Sequence, residues 1–373
     1  MRIAAFGFRT LPPSAGAAGA DKFALELLPR LAAKGHQVIA YNRRYRDVHV
    51  NITEYKGVKV KTFKTVRKKG FDTLLHSMKC TFHIIFRNSA DVVHIQNGGN
   101  SIWALPLRLF GKKFSLARMV LTGKGTNGPG TVKCICVFSA NITARFPNEV
   151  IFDNIIARRL FEEKFKKKFE FIPFGSESEP VTDDDAILKK LNLEKGEYML
   201  FVGRFIPDKG LHYLIPGFIK SGSRKKLVLV GGSPNPSPYE QEIMQMANDQ
   251  VVFAGYVYGA DVTRLMKYSF CYIQPSDVEG LSPVVLSVMG LNVPLIVSDI
   301  EENQYAVRDT ARTFAQGNSD SLAEEIRFAE RNPDKMKELA AAAQQRALTE
   351  FNWDKVTDDH LELFRKSLKP SKH

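Results

Sequence analysis

Arg204 and Lys209 lie five residues apart in a short segment that follows an apolar run, VGRFIPDKG at residues 202–210. A guanidinium presents a planar set of donors to phosphate oxygens, and an ammonium adds a mobile point charge. The pattern predicts a strand that ends at Gly203 and a helix that opens at Gly210, whose first N–H groups also favour an anion. The segment is therefore typical of a diphosphate-binding loop, although an ordinary basic turn would use the same residues.

A second segment, QPSDVEGLSP at residues 274–283, places the carboxylate of Glu279 just before a predicted helix. Ser282 is a preferred N-cap residue, and the proline after it suits the first helical turn. The backbone of Gly280, Leu281 and Ser282 forms the approach to that helix, and the glycine lets a ligand come close. Glu279 is suited to accept hydrogen bonds from both hydroxyls of a nucleotide ribose. The alternative is a surface glutamate in a helix-entry loop.

Other loops give weaker signals. Gly232, in a Gly-Gly pair after a predicted strand, permits close approach of a phosphate or base, but it also suits a tight turn. His94 ends a strand in the first half of the chain and is more often structural than catalytic at such a position. The run GAAG at residues 16–19 is not the dinucleotide fingerprint G-x-G-x-x-G, so a nicotinamide-dependent oxidoreductase remains only a third alternative.

Short β-rich runs alternate with helical patterns along the whole chain, which predicts parallel sheets covered by helices on both faces. A polar acidic stretch at residues 175–185 interrupts the pattern, which then restarts. We predict an α/β protein with two facing Rossmann-like domains, residues 1–176 and 177–350, and a C-terminal helix and basic tail at 351–373. Because ligands of open α/β sheets bind at the carboxyl ends of the strands, the loops described above are the ones that matter.

The composition excludes several classes of protein. The chain has 373 residues of which 44% are hydrophobic, enough for two domains and too apolar for a disordered chain. No apolar stretch reaches the roughly 18 residues of a membrane-spanning helix. Its 4 cysteines have neither disulfide density nor zinc-binding spacing, which favours a reducing compartment. We therefore predict a cytoplasmic protein, and we interpret its first residues as a strand rather than a signal peptide.

Charge divides the chain unevenly. Residues 1–180 hold 30 Lys and Arg against 13 Asp and Glu, a net +17, whereas residues 181–373 hold 23 against 27, a net −4. A basic half attracts nucleic acid, anionic membrane or a phosphorylated partner, or it is simply a solvated surface. Because no nucleic-acid-binding motif is present, we expect no nucleic acid and favour a membrane surface or a diphosphate-bearing partner.

At these residues the chain resembles the retaining glycosyltransferases of family four, which have the GT-B fold, and in particular a bacterial subgroup of rhamnosyl- and polysaccharide transferases. The similar segments include residues 23–41, 91–101 and 144–175, GRFIPDKG, and EGLSPVVLSVMG at residues 279–290. The resemblance implies a nucleotide-diphosphate sugar as donor, a lipid-linked or polysaccharide acceptor, and no cofactor or metal. It places Arg204 and Lys209 on the leaving diphosphate and Glu279 on the ribose.

The chain departs from that family at two places. The second glutamate of the family motif is Ser287 here, which weakens the expected contact with the donor sugar. Residues 115–139 contain no carboxylate and no tryptophan, whereas the subgroup has a loop of the form Q-D-G-x-D-W-x-R-x-K-W there. Codons compatible with residues 119–124 encode D-G-V-D-W-K when read one base earlier. We therefore hypothesise an out-of-frame segment that impairs turnover, with a catalytically inactive nucleotide-sugar-binding protein as the alternative.

Overall fold

The computed structural model describes residues 1–13, 19–44, 52–66, 71–87, 90–111, 114–117, 140–176, 184–232 and 237–368. It divides into two compact units. Unit 1 comprises Met1–Phe174 together with Trp353–His373, and unit 2 comprises Gly175–Asn352. The first boundary falls two residues before the predicted one. The C-terminal helix, which the sequence analysis treated as a separate segment, is part of unit 1 because it packs on the first helix of the chain.

Unit 1 is built on an eight-stranded sheet with the order β3-β4-β2-β1-β5-β6-β7-β8. Its strands are β1 (Arg2–Phe6), β2 (Gln37–Arg44), β3 (Glu54–Tyr55), β4 (Val58–Lys64), β5 (Val92–Gln96), β6 (Phe114–Ala117), β7 (Glu149–Phe152) and β8 (Glu170–Phe171). All neighbours are parallel except β3 and β4, which form an antiparallel hairpin. The hairpin turns at Lys56 and Gly57, which both have positive φ, as a two-residue hairpin turn requires.

The helices of unit 1 are α1 (Gly19–Ala33), α2 (Phe71–Arg87), α3 (Ala104–Leu109), α4 (Ile155–Phe165) and α13 (Trp353–Leu368), and a 3₁₀ turn at Gly98–Trp103 leads into α3. Helix α1 begins at Gly19 and has Asp21 in its first turn. The Asp21 carboxylate accepts a hydrogen bond of 2.6 Å from the backbone N–H of Arg9. It therefore holds the loop that follows β1.

Unit 2 is built on a six-stranded parallel sheet with the order β11-β10-β9-β12-β13-β14. Its strands are β9 (Tyr198–Arg204), β10 (Lys226–Gly232), β11 (Val251–Gly255), β12 (Cys271–Gln274), β13 (Leu295–Ser298) and β14 (Arg312–Phe314). Numbered within the unit, this is the order 3-2-1-4-5-6 of a dinucleotide-binding sheet. The order reverses between β9 and β12, so the loops after these two strands diverge and leave a crevice at the carboxyl edge.

Eight helices of unit 2 are described: α5 (Ala186–Lys190), α6 (Leu211–Ser221), α7 (Pro238–Gln245), α8 (Ala260–Lys267), α9 (Pro283–Gly290), α10 (Glu301–Val307), α11 (Ser319–Arg331) and α12 (Pro333–Glu350). The core forms where apolar residues of α6 and α11 meet β9 and β10, among them Phe201, Leu214, Phe218, Leu229 and Ile326. No helix of the described residues is long and apolar enough to cross a membrane.

The prediction of two α/β units with parallel sheets is confirmed. The sequence analysis did not predict β3, β14, α5 or α10, which are all short. Elements of two to seven residues carry too few periodic positions to stand out from a loop.

Candidate functional site

The loops after β9 and β12 meet at the switch point of the unit 2 sheet. The strands are neighbours, with Met199 opposite Cys271 and Leu200 opposite Tyr272. The two segments selected from the sequence are separated by about seventy residues along the chain, yet the sheet brings them to the same edge. This is the place where open α/β sheets bind their ligands.

An ion pair joins the two loops. The Lys209 ammonium contacts Oε1 of Glu279, and the side chains retain only 18% and 7% of their exposure. The pair therefore lies in a largely desolvated position, where charges interact more strongly than in water. Two residues selected independently from the sequence are thus within direct contact of each other.

Two further side chains hold Glu279, and the sequence analysis did not single them out. Gln274 Nε2 donates to Glu279 Oε1 at 2.5 Å, and Ser276 Oγ donates to the same oxygen at 2.6 Å. Tyr272 supports Gln274 through a hydrogen bond of 2.7 Å to its Oε1, and burial raises the pKa of this tyrosine. The glutamate is therefore held in one orientation. Gln274 and Ser276 belong to a polar run at the end of an apolar strand, and this run was the feature of the sequence that could have identified them.

Backbone contacts also lock the two loops together. The N–H of Asp277 donates to the carbonyl of Asp208 at 3.0 Å. Gly210 has φ of 68°, and a Cβ there would lie 2.0 Å from the carbonyl oxygen of Pro275. Only glycine fits both the backbone conformation and this close approach. The glycine that was predicted to open α6 therefore acts at the junction of the loops.

Arg204 is the last residue of β9, and its side chain is exposed at the carboxyl edge. Gly203 precedes it, and a Cβ at Gly203 would lie 2.8 Å from the ring of Phe201. Gly232 ends the neighbouring strand β10 with φ of 131°, and Glu240 Oε1 lies 3.1 Å from its Cβ position. A larger residue at either position would therefore need its neighbour to move, and the role of both glycines in approach of a ligand stays a prediction.

Helix α9 starts at the same edge. Ser282 is its N-cap and accepts a hydrogen bond of 3.4 Å from the N–H of Val285. Gly280 is half-buried. Leu281 is 5% exposed, so its side chain packs inward and its backbone is the part that a ligand could contact. Ser287 lies one turn further along, 1% exposed, and donates to the carbonyl of Pro283 at 2.9 Å. Its predicted contact with a donor sugar stays a prediction.

Asp277 connects this edge to two residues that the sequence did not indicate. The Gln316 amide donates to its carboxylate at 3.2 Å, and a hydrogen bond between Tyr213 and Asp277 contributes to a raised pKa of that tyrosine, mainly caused by burial. Gln316 and Tyr213 come from different βα segments. No local spacing in the sequence could have joined them.

The remaining candidates lie in unit 1 or outside the described residues. His94 was predicted to end a strand, but it is the middle residue of β5, where it is fully buried and its ring packs against Phe23, His360 and Phe364. Burial holds its pKa well below the usual value, which suits a neutral core histidine. Residues 16–18 of the GAAG run at 16–19, and residues 118–139 of the unusual segment at 115–139, lie outside the described residues.

Comparison with solved structures identifies the fold. Sucrose-phosphate synthase from Thermosynechococcus elongatus superposes with a TM-score of 0.82 and 18% identity, covering 98% of each chain. HepE of Anabaena in complex with UDP-glucose gives a TM-score of 0.78 and 15% identity, covering 98% of this chain and 99% of that one. The chain thus has the fold of the GT-B glycosyltransferases.

Sequence comparison then identifies the domain in unit 2. Residues 183–346 match the family model described as "Glycosyl transferases group 1". Alpha-maltose-1-phosphate synthase of Mycolicibacterium smegmatis is 24% identical over 49% of this chain and 51% of its own. O-antigen chain mannosyltransferase C of Escherichia coli is 25% identical over 57% of this chain and 58% of its own. The matches span about half the length of these relatives, and the similarity to group 1 glycosyltransferases lies in residues 183–346 of unit 2.

Proposed function

We propose that the protein is a retaining glycosyltransferase that moves a sugar from a nucleotide-diphosphate donor to a polysaccharide or lipid-linked acceptor. The observation that carries this proposal is the junction at the unit 2 switch point. There the ion pair between Lys209 and Glu279 joins two loops, and Arg204 stands exposed beside them. The match of the same residues to the glycosyltransferase family model supports it.

In the proposed transfer, the bond between the anomeric carbon and the diphosphate breaks. A bond from that carbon to an acceptor hydroxyl oxygen forms, and the hydroxyl proton passes to the leaving diphosphate. Negative charge grows on the diphosphate as its bond breaks, and Arg204 and Lys209 are the cations that would stabilise it. The N–H groups at the start of α9 add the positive end of a helix dipole. The proposal needs no cofactor or metal ion.

The other residues of the site receive supporting roles. Glu279 is the proposed acceptor for the ribose hydroxyls, and three protein donors on its Oε1 fix the orientation of the carboxylate. Gly203 and Gly232 leave space for the diphosphate. Ser287 stands where the family resemblance implies a carboxylate, and its buried hydroxyl donates to the Pro283 carbonyl, so we expect a weaker contact with the donor sugar than a glutamate would make.

The proposal includes an acceptor and a place in the cell. The O-antigen mannosyltransferase among the relatives supports a polysaccharide acceptor. The basic first half of the chain, with its net +17, suits an acceptor carried on an anionic membrane. We therefore propose a cytoplasmic enzyme that works at the inner face of a membrane.

A binding measurement tests the donor site. Titration calorimetry with a panel of nucleotide sugars should find one that binds the wild-type protein, and Arg204→Ala should weaken it at least about tenfold, since a hydrogen bond to a charged group contributes about 1.5–3 kcal/mol. Arg224→Ala is the matched control, because Arg224 is also exposed in unit 2 but precedes β10 at the opposite edge of the sheet. Equal effects of the two substitutions, or no binding of any nucleotide sugar, would refute the proposed site.

A second function, a nucleotide-sugar-binding protein without transferase activity, is favoured by one observation. Residues 115–139 contain no carboxylate and no tryptophan, so they lack groups that could orient an acceptor or stabilise positive charge. A transfer assay beside the binding measurement separates the two functions. Donor binding without transfer supports the second function, and the nucleotide sequence of the gene tests whether the segment is an out-of-frame reading.

A further inference from the structure

Helix α2 in unit 1 turns its polar side inward. Its buried residues are His76, Ser77, Cys80, Thr81 and Ile84. Its strongly exposed apolar residues are Phe71, Leu74, Phe82 and Phe86. At 3.6 residues per turn these four side chains form one stripe along the full 17 residues of the helix. A helix that only covered a sheet would have the opposite arrangement.

Specific hydrogen bonds explain why the polar side faces inward. His76 Nε2 lies 3.1 Å from the carbonyl oxygen of Asn42, and Ser77 Oγ donates to Asn100 Oδ1 at 2.8 Å. Burial and nearby Arg43 lower the pKa of His76 to about 3, so the ring is neutral. These bonds fix the rotation of α2 about its axis. The apolar stripe is therefore held at the surface.

Helix α3 extends the apolar surface. Phe82 and Phe86 stack with their centroids 6.2 Å apart, and Phe86 meets Phe110 edge to face at 5.6 Å. Leu109, which precedes Phe110 in the chain, is 75% exposed. The exposed apolar side chains of α2 and of the C-terminal end of α3 thus form one surface, which we call the α2–α3 patch and which comprises Phe71, Leu74, Phe82, Phe86, Leu109 and Phe110. Contiguous exposed patches of this kind mark interaction sites.

Cations lie next to residues of the α2–α3 patch. Arg87 follows Phe86 and Arg108 precedes Leu109 in the chain, and both are exposed. On α2 itself, the Lys79 ammonium donates to the carbonyl oxygen of the exposed Lys64 at 2.8 Å. Residues 56–113 of the sequence hold 12 Lys and Arg against only two acidic residues, Asp72 and Asp91.

Both of those carboxylates are already engaged. Asp72 pairs with Arg43 at 3.0 Å, and Asp91 pairs with Arg2 at 2.6 Å. The positive charge around the patch is therefore not cancelled locally by these two residues.

We infer that the α2–α3 patch docks on an anionic lipid bilayer, with the aromatic side chains at the acyl boundary and the cations on headgroup phosphates. Aromatic residues and basic side chains on one surface are the combination that interfacial helices use. A second copy of this chain fits less well, because it would bring the same cations together. The inference rests on unit 1 alone and does not depend on donor binding or transfer by unit 2.

Vesicle flotation with the full-length protein tests the inference. The protein should float with vesicles of equal parts phosphatidylcholine and phosphatidylglycerol, more weakly at high salt, and much less with phosphatidylcholine alone. The double variant Phe82→Ser/Phe86→Ser should bind the anionic vesicles at least about tenfold less, since each ring loses burial at the interface. Arg108→Gln should lose about fivefold on anionic vesicles, about 1 kcal/mol for one cation.

Leu348→Ser is the matched control, because Leu348 is an exposed leucine on a helix of unit 2. Circular dichroism should show all variants folded, since each replaced side chain is exposed. The inference is wrong if the wild-type protein does not float, if salt and lipid charge make no difference, or if the double variant binds like the wild type. It is also wrong if ultracentrifugation shows a dimer that the double variant abolishes, because the patch would then be an interface between copies.

Discussion

Helices α2 and α6 show how the same architecture produces two different surfaces. Helix α6 buries Leu211, Leu214, Ile215 and Phe218 against the unit 2 sheet, so it is held by apolar burial. Helix α2 buries a histidine, a serine, a cysteine, a threonine and one isoleucine, and it leaves phenylalanines exposed. The difference teaches that the position of a helix on a sheet does not determine which side it presents. In unit 1, a few hydrogen bonds decide it.

The units also differ in how their loops are secured. In unit 2 the site loops are joined by an ion pair and by close backbone contacts at glycines. The interior of unit 1 contains three buried histidines, His76, His94 and His360. Unit 2 has a single histidine, His212. Close glycine contacts occur in both units, since a Cβ at Gly7 of unit 1 would lie 2.1 Å from the carbonyl oxygen of Gln96. The units differ in their buried histidines, and we therefore expect acid to affect unit 1 most.

The largest effect is expected for Gly210→Ala. The added Cβ would overlap the carbonyl of Pro275 at 2.0 Å in a backbone with positive φ, so the loops must separate, at a cost of about 2–4 kcal/mol. Gly222→Ala is the control: its φ is 71° and nothing lies within 4 Å of the new Cβ, so about 1 kcal/mol is expected. Hydrogen exchange measured on peptides of each unit should show faster exchange in unit 2. Equal destabilisation by both substitutions would contradict the close contact.

Acid should weaken unit 1 before unit 2. Burial lowers the pKa of His76 to about 3 and that of His360 to about 4, whereas an unfolded histidine titrates near 6.5. Below that value the unfolded chain takes up protons that the folded unit does not. Stability from each buried histidine is therefore fully present above about pH 6.5 and falls by about 1.4 kcal/mol per pH unit on acidification.

Tryptophan fluorescence measures this effect, because both tryptophans, Trp103 and Trp353, belong to unit 1. Urea midpoints followed by fluorescence should fall between about pH 7 and about pH 5. Hydrogen exchange in unit 2 peptides should change less over the same range. A larger change in unit 2 would show that its carboxylates, not the unit 1 histidines, govern the response.

Ser77→Ala should destabilise unit 1 by about 1–2 kcal/mol, because Asn100 Oδ1 loses its donor in a buried position. Thr81→Val on the same helix is the control. Thr81 Oγ1 is buried with no hydrogen-bond partner among the described residues, so replacing it with a methyl group should be neutral or stabilising. Denaturant midpoints from fluorescence give both values. If Ser77→Ala costs no more than Thr81→Val, hydrogen bonds do not orient α2.

The smallest effects are expected at two helix caps, one in each unit. Ser282→Ala removes the N-cap of α9. Asn154→Ala removes the N-cap of α4, where the Asn154 side chain accepts a hydrogen bond from the N–H of Ala157 at 2.8 Å. Each should cost about 1 kcal/mol. Only Ser282→Ala should also weaken nucleotide-sugar binding, by a few fold, in calorimetry. Similar losses of binding in both variants would show that the N-terminus of α9 is not part of the donor site.

Much of the site could be predicted because its residues follow strands directly. Arg204, Lys209 and Glu279 were selected from polar segments at strand ends, and the structure puts the last two in contact. Gln274 and Ser276 were inside a selected segment but were not recognised as partners of Glu279. Their role depends on side-chain orientation, which spacing along a strand end does not determine.

Helix α2 shows a different kind of limit. Its sequence has clear helical amphipathicity, which ordinarily predicts that the apolar stripe faces the core. The stripe faces solvent because Asn42 and Asn100 offer partners to the polar side. These residues lie on other elements, 34 and 23 positions away from His76 and Ser77.

The sequence by itself determined the alternation of strands and helices, the two α/β units and the loops with binding chemistry. These follow from local periodicity and from residue types at strand ends, which act over a few positions. The tertiary structure alone decided that β9 and β12 are neighbours and that the apolar stripe of α2 faces solvent. Strand order and helix rotation depend on contacts between distant segments, and their free energies are settled only when the whole unit is packed.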